Sequence, residues 1–147
     1  MNPTEDRPVS TPLLVGIYAA SFVGMAVLWN LLNLIASFDN PAMGLIVVFA
    51  AAGVAAQYWF SREKVVPPSG RIWTISLICG VVSAILSTGL FAVGMSADAQ
   101  LAREFSQAGI VAIVGVFAAI VVIHALMARL GFWLTFWQAA KKAAGKR

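Results

Sequence analysis

One histidine, His124, stands in an apolar stretch five residues before Arg129. Gln57 stands five before Arg62, and Ser76 five after Arg71. At about 1.5 Å of rise per helical residue, the three share a depth below one interface. Tyr18, early in the first apolar stretch, can join them. A layer of Tyr18, Gln57, Ser76 and His124 offers hydrogen bonds and one group that titrates near neutral pH. That chemistry suits proton or ligand handling. The reading that comes ahead of it is structural, interhelical hydrogen bonding, each such bond being worth about 0.6 kcal/mol in a membrane bundle. Asn30 and Asn33, three apart on one helix face, form a second polar pair toward the other end.

Other chemistries lack their residues. The six Asp and Glu (residues 5, 6, 39, 63, 98 and 104) all fall outside the apolar stretches or at their ends, so a carboxylate-driven proton exporter lacks its central group. A single histidine cannot supply both axial ligands of a haem, and the single cysteine, Cys79, makes no internal disulfide, CxxC pair or zinc site. Cys79 reads as a small apolar residue of a helix. HExxH and GxSxG are absent. A Ser/His pair across helices is conceivable, but serine is ordinary in membrane helices. The expectation is therefore a protein without enzymatic activity, metal or cofactor.

The elements that must position these residues are four long apolar stretches. No charge lies between Arg7 and Asp39, Asp39 and Arg62, Arg71 and Asp98, or Glu104 and Arg129. A spanning helix needs roughly 20 apolar residues, and each gap exceeds that. Hydrophobic residues make up 61% of the 147, against about 45–50% in soluble domains. The predicted fold class is an all-α integral membrane protein: four transmembrane helices in an antiparallel bundle, forming one domain over 1–147. The helices are expected at about 13–35, 43–60, 72–95 and 109–128. Pro12 falls in the first turn of helix 1, where a missing N–H is harmless. SFDNP (37–41) ends that helix, and SREKVVPPSGR (61–71) is the clearest loop. The 96–108 segment is polar, with room for a helical turn. The polar N-terminus, with Glu5 and Asp6 ahead of Arg7, does not suit a cleaved signal, so helix 1 reads as a retained signal anchor.

Nine of the ten Lys and Arg lie at the N-terminus, in the 61–71 loop or from Arg129 onward; only Arg103 lies on the other side. The positive-inside rule then places both termini in the cytoplasm. A net charge of +4 with no basic stripe among aromatics fits lipid headgroups rather than nucleic acid. Trp59, Trp73, Trp133 and Trp137 gather near the same boundary. Phe132, Trp133, Phe136 and Trp137, followed by Lys141 and Lys142, describe either an interfacial amphipathic helix over 129–142 or a continuation of helix 4. Small residues recur every four positions: Gly16, Ala20 and Gly24; Ser76, Gly80, Ala84 and Thr88; Gly115 and Ala119. Such stripes let backbones approach. The Gly16–Ala20–Gly24 stripe is the narrowest and is expected to pack within the bundle or against a partner.

The run AAAGVAAQYWFSREKVVPPSGRIWTISL (50–77) joins a small-residue helix end to a basic Pro/Gly loop and a Trp-led helix. ALMARLGFWLTFWQAAKKAA (125–144) sets Arg-Leu-Gly-Phe after the fourth span. Together they resemble the ABZJ-type family of small four-span inner-membrane proteins of proteobacteria. Trp133 departs from that family, which tends to glycine after Leu-Gly-Phe. The resemblance implies the four-span fold and a bacterial inner membrane, and it carries over no binding or catalytic residue. Two functions stay open: an accessory or interaction subunit of a larger membrane assembly, or a small oligomeric transporter or channel with a polar layer around His124. The expected partners are the lipid bilayer and another integral membrane protein or a second copy of the chain.

Overall fold

The computed structural model describes residues 8–36, 42–97, 103 and 109–144. They form four helices: α1 (Thr11–Ala36), α2 (Met43–Glu63), α3 (Ser69–Ala97) and α4 (Ile110–Ala144). All four are long and apolar enough to cross a membrane. The chain is a multi-pass membrane protein. The 37–41 turn and, Arg103 apart, the 98–108 segment lie outside the described residues.

Local chemistry sets the helix ends. The carbonyl of Ser10 accepts the N–H of Leu14, so Pro12 falls in the first turn as expected. α2 runs to Glu63 and stops at Lys64, a left-handed residue (φ 57°) whose N–H closes on the Phe60 carbonyl. Pro67 and Pro68 then exclude helix, and the Pro68 carbonyl receives the N–H groups of Arg71 and Ile72. α3 therefore starts at Ser69, three residues earlier than expected. α4 is a single helix of 35 residues, about 52 Å long, well beyond a hydrocarbon core of about 30 Å. Of the two readings of residues 129–142, the chain forms the continuous helix.

α1 packs against α2 and α3, and α4 packs against the same two helices from the other side. α2 and α4 run parallel: Gly131 lies on Phe49, and Thr135 faces Gly53. α3 and α4 run antiparallel, since Ser69 meets Arg129 and Ser83 meets His124.

The core occupies one half of the bundle. It comprises Leu14, Tyr18 and Phe22 of α1, Val47 to Trp59 of α2, Ile72 to Ala84 of α3, and His124 to Phe136 of α4. This is the basic end. Trp59 sits edge-on to Phe132 and Phe136, with centroids 6.2 and 5.6 Å away. Two glycines permit the closest helix contacts. A Cβ on Gly80 would lie 2.8 Å from the Cβ of Ala125; one on Gly131 would lie 2.7 Å from the Phe49 carbonyl oxygen. Toward the opposite end, Leu28, Leu31, Leu34 and Ile35 of α1 and Ile110 to Val116 of α4 are largely exposed.

The Gly16–Ala20–Gly24 stripe does not pack within the bundle. All three residues are exposed, and a Cβ on Gly16 or Gly24 would meet nothing within 4 Å. α1 turns Leu14, Tyr18 and Phe22 inward instead, because these side chains fill the gap between α2 and α3 and glycine leaves it empty. Of the small-residue stripes, Ser76–Gly80–Ala84 is buried, whereas Gly115 and Ala119 face outward.

Candidate functional site

Near the middle of α3, Ser83 Oγ lies 3.1 Å from Nδ1 of His124 on α4. Ser83 Oγ also lies 2.9 Å from the Cys79 carbonyl oxygen and 3.1 Å from that of Gly80, one turn back on its own helix. With the hydroxyl proton directed to those carbonyls, the serine oxygen accepts from Nδ1–H of His124. The Tyr18 hydroxyl is buried beside Ser83, without a hydrogen-bond partner of its own. The side chains of Tyr18 and Ser83 have no exposed surface, and His124 retains 8%.

Two members of the expected layer, Tyr18 and His124, thus come together, but around Ser83. The other two do not join them. Ser76 is buried and bonds the Ile72 carbonyl of its own helix at 2.8 Å. Gln57 faces outward from α2. The depth argument failed at Arg129. Its long side chain reaches toward the basic end, with its guanidinium over the Trp73 ring and bonded to Ser69, so it marks a level below its own backbone. His124 consequently lies opposite Ser83, twelve residues beyond Arg71, or about 18 Å along the helix. Asn30 bonds the Ala26 carbonyl one turn back and is exposed.

The Ser83–His124 pair lacks the parts of a hydrolytic site. No carboxylate lies within the apolar stretches to orient the imidazole, and a fully buried Ser83 has no room for a substrate carbonyl. The arrangement ties α3 to α4 near the middle of both helices. Among the described residues, no three His, Cys, Asp or Glu gather where they could hold a metal ion.

A second polar cluster closes the basic end. Arg71 Nη1 lies 2.9 and 3.0 Å from the two carboxylate oxygens of Glu63, and its Nη2 donates to the Val9 carbonyl at 2.6 Å. The Val9 N–H donates to Glu63 Oε1 at 2.7 Å. The Arg71 guanidinium lies 4.7 Å above the Trp59 ring. Three segments, the lead-in to α1 and the α2 and α3 ends, thereby meet on one ion pair. Counting Arg71 only as an orienting charge missed this. The available signal was the pairing of Glu63 and Arg71 across a short loop stiffened by two prolines.

Comparison with known protein families, curated proteins and solved structures returned no match.

Proposed function

We propose that the protein is an interaction subunit of a larger assembly in a bacterial inner membrane, with both termini in the cytoplasm. The nine-to-one distribution of Lys and Arg supports that orientation. The basic half is a tightly packed, hydrogen-bonded base. The opposite half presents a groove between α3 and α4 of about 560 Å³, lined by Ser87, Phe91, Ala112, Val116, Phe117 and Ile120. This groove carries the reading: a helix of another integral membrane protein supplies the wall that α1 and α2 leave open there. The exposed Gly16–Ala20–Gly24 face is a second surface of the kind that lets a partner helix approach. A transport route through His124 has less support, because Tyr18 and Ser83 enclose it and the groove lining ends one turn away, at Ser87 and Ile120.

The test is a photo-crosslinking residue placed at Val116, in the groove, or at Leu77, on the lipid-facing side of the packed half, in native membranes. A discrete protein adduct is expected from Val116 alone, and Ala112→Trp should abolish it by filling the groove. Lipid adducts only, at both positions, would remove the proposal.

A further inference from the structure

At the basic end, a cavity of about 310 Å³ opens between the 66–69 segment and the last turns of α4. Pro67, Ser69, Arg129, Trp133, Trp137 and Ala140 line it. Its one charged wall residue is Arg129, and that guanidinium is incompletely satisfied. Nη2 reaches Ser69 Oγ at a long 3.3 Å, one face lies on Trp73, and Nε is buried without a partner. Among the described residues Glu63 is the sole carboxylate, and it is held by Arg71. A guanidinium in the cavity wall with one long hydrogen bond keeps N–H donors to spare, and an anionic oxygen in the cavity would take them up. Ser69, the first residue of α3, adds the positive end of that helix dipole.

The walls decide which anion. Apart from Ser69 and Arg129, they are aromatic, aliphatic or proline. Trp133 and Trp137 stack on each other with centroids 6.5 Å apart and are about half exposed. Lys141 lies over Trp137, and Lys142 follows. Tryptophans beside lysines mark the headgroup level of a bilayer. A freely soluble anion gains nothing from such walls, whereas a lipid places its phosphate on Arg129 and its glycerol and upper acyl chain against the indoles. We propose that this cavity binds the headgroup of an anionic phospholipid from the leaflet at the basic end, with Arg129 and Ser69 on the phosphate. The site is independent of the α3–α4 groove and of any partner protein.

The test uses the full-length protein in mixed micelles holding equal amounts of phosphatidylglycerol and phosphatidylcholine, read by native mass spectrometry. The wild type should retain phosphatidylglycerol preferentially. Arg129→Gln should lower that retention about tenfold or more, as loss of a hydrogen bond to a charged group implies. Ala140→Phe, which fills the cavity and keeps every charge, should lower it comparably. It carries the test if thermal unfolding shows that Arg129→Gln does not fold. Lys142→Gln, at the same level but outside the cavity, should have a clearly smaller effect. Three results would overturn the proposal: equal retention of the two lipids by the wild type, a Lys142→Gln loss as large as that of Arg129→Gln, or unchanged retention in Ala140→Phe. Displacement of the lipid by a large excess of inorganic phosphate would assign the site to a soluble anion instead.

Discussion

The two ends of this bundle use similar apolar residues and pack very differently. At the basic end, Ala51, Ala52, Ala55 and Ala56 are fully buried, Gly80 and Gly131 carry neighbouring backbones on their bare faces, and Trp59 wedges against Phe132 and Phe136. At the opposite end, Leu31, Leu34, Ile35, Val111 and Val114 are all exposed. In lipid this contrast carries no hydrophobic penalty, because acyl chains solvate leucine as well as another leucine does. Helices adhere where small residues allow van der Waals contact and where polar groups find partners. The basic half has both, with Ser83–His124 and Glu63–Arg71–Val9 closing it. The same physics explains why the helices at the opposite end can leave their apolar faces unpacked.

The sharpest break of that comparison is a glycine swap. Gly131→Leu should destabilise by about 3 kcal/mol, since the new side chain starts inside contact distance of the Phe49 carbonyl oxygen. Gly24→Leu should leave stability unchanged or raise it by up to about 1 kcal/mol through helix propensity. Unfolding in mixed micelles measures both, and equal losses would refute the division into two halves.

Next in size is the ion pair. Arg71→Ala removes the partner of Glu63, the Val9 carbonyl bond and the cover over Trp59 together. A cost of about 2 kcal/mol is expected, below the range for fully buried pairs because both side chains keep some exposure. Protease cleavage ahead of α1 should rise as Val9 is released; an unchanged cleavage rate would show that the cluster does not hold α1.

Ser83→Ala should cost about 0.6 kcal/mol, the usual scale of an interhelical bond in a bundle. His124→Gln should lie close to it, since the amide keeps a donor and an acceptor. If either change abolished an activity while leaving the unfolding midpoint in place, the polar core would be a working site rather than a tie.

The smallest effect is at Lys64, whose left-handed conformation disfavours a Cβ. Lys64→Gly should stabilise the fold by a few tenths of a kcal/mol, the relief of strain being partly offset by the flexibility of the unfolded chain. A loss above about 1 kcal/mol would mean that the lysine side chain itself holds the loop.

The four helices were legible from spacing alone, because an uncharged run of more than 20 residues has few other stable fates. Their ends were less so. α3 begins at Ser69 rather than near Ile72 because the Pro68 carbonyl caps the turn before Arg71, a local hydrogen bond that hydropathy does not register. The polar layer was half legible. Counting from charged residues set Gln57, Ser76 and His124 at one depth; it misplaced His124, because Arg129 reaches past its own backbone, and it could not show that Gln57 faces outward, since counting gives depth without azimuth. Glycine spacing misled for the same reason. Gly16 and Gly24 repeat every eight residues on a face turned outward, whereas Gly131, with no stripe of its own, sits at the closest contact of α2 and α4.

The sequence by itself therefore determined that this chain crosses the membrane, roughly where, and which end is basic. These follow from length, transfer energy and charge, properties of each segment taken alone. Only the tertiary structure decided which face of each helix turns inward, that Ser83 rather than Ser76 meets His124, that Glu63 holds Arg71 and the lead-in to α1, and that the bundle closes at one end. When every face of a helix is apolar, hydrophobicity cannot choose among them. The choice rests on steric fit between particular neighbours and on hydrogen bonds whose partners lie 41 and 54 residues apart.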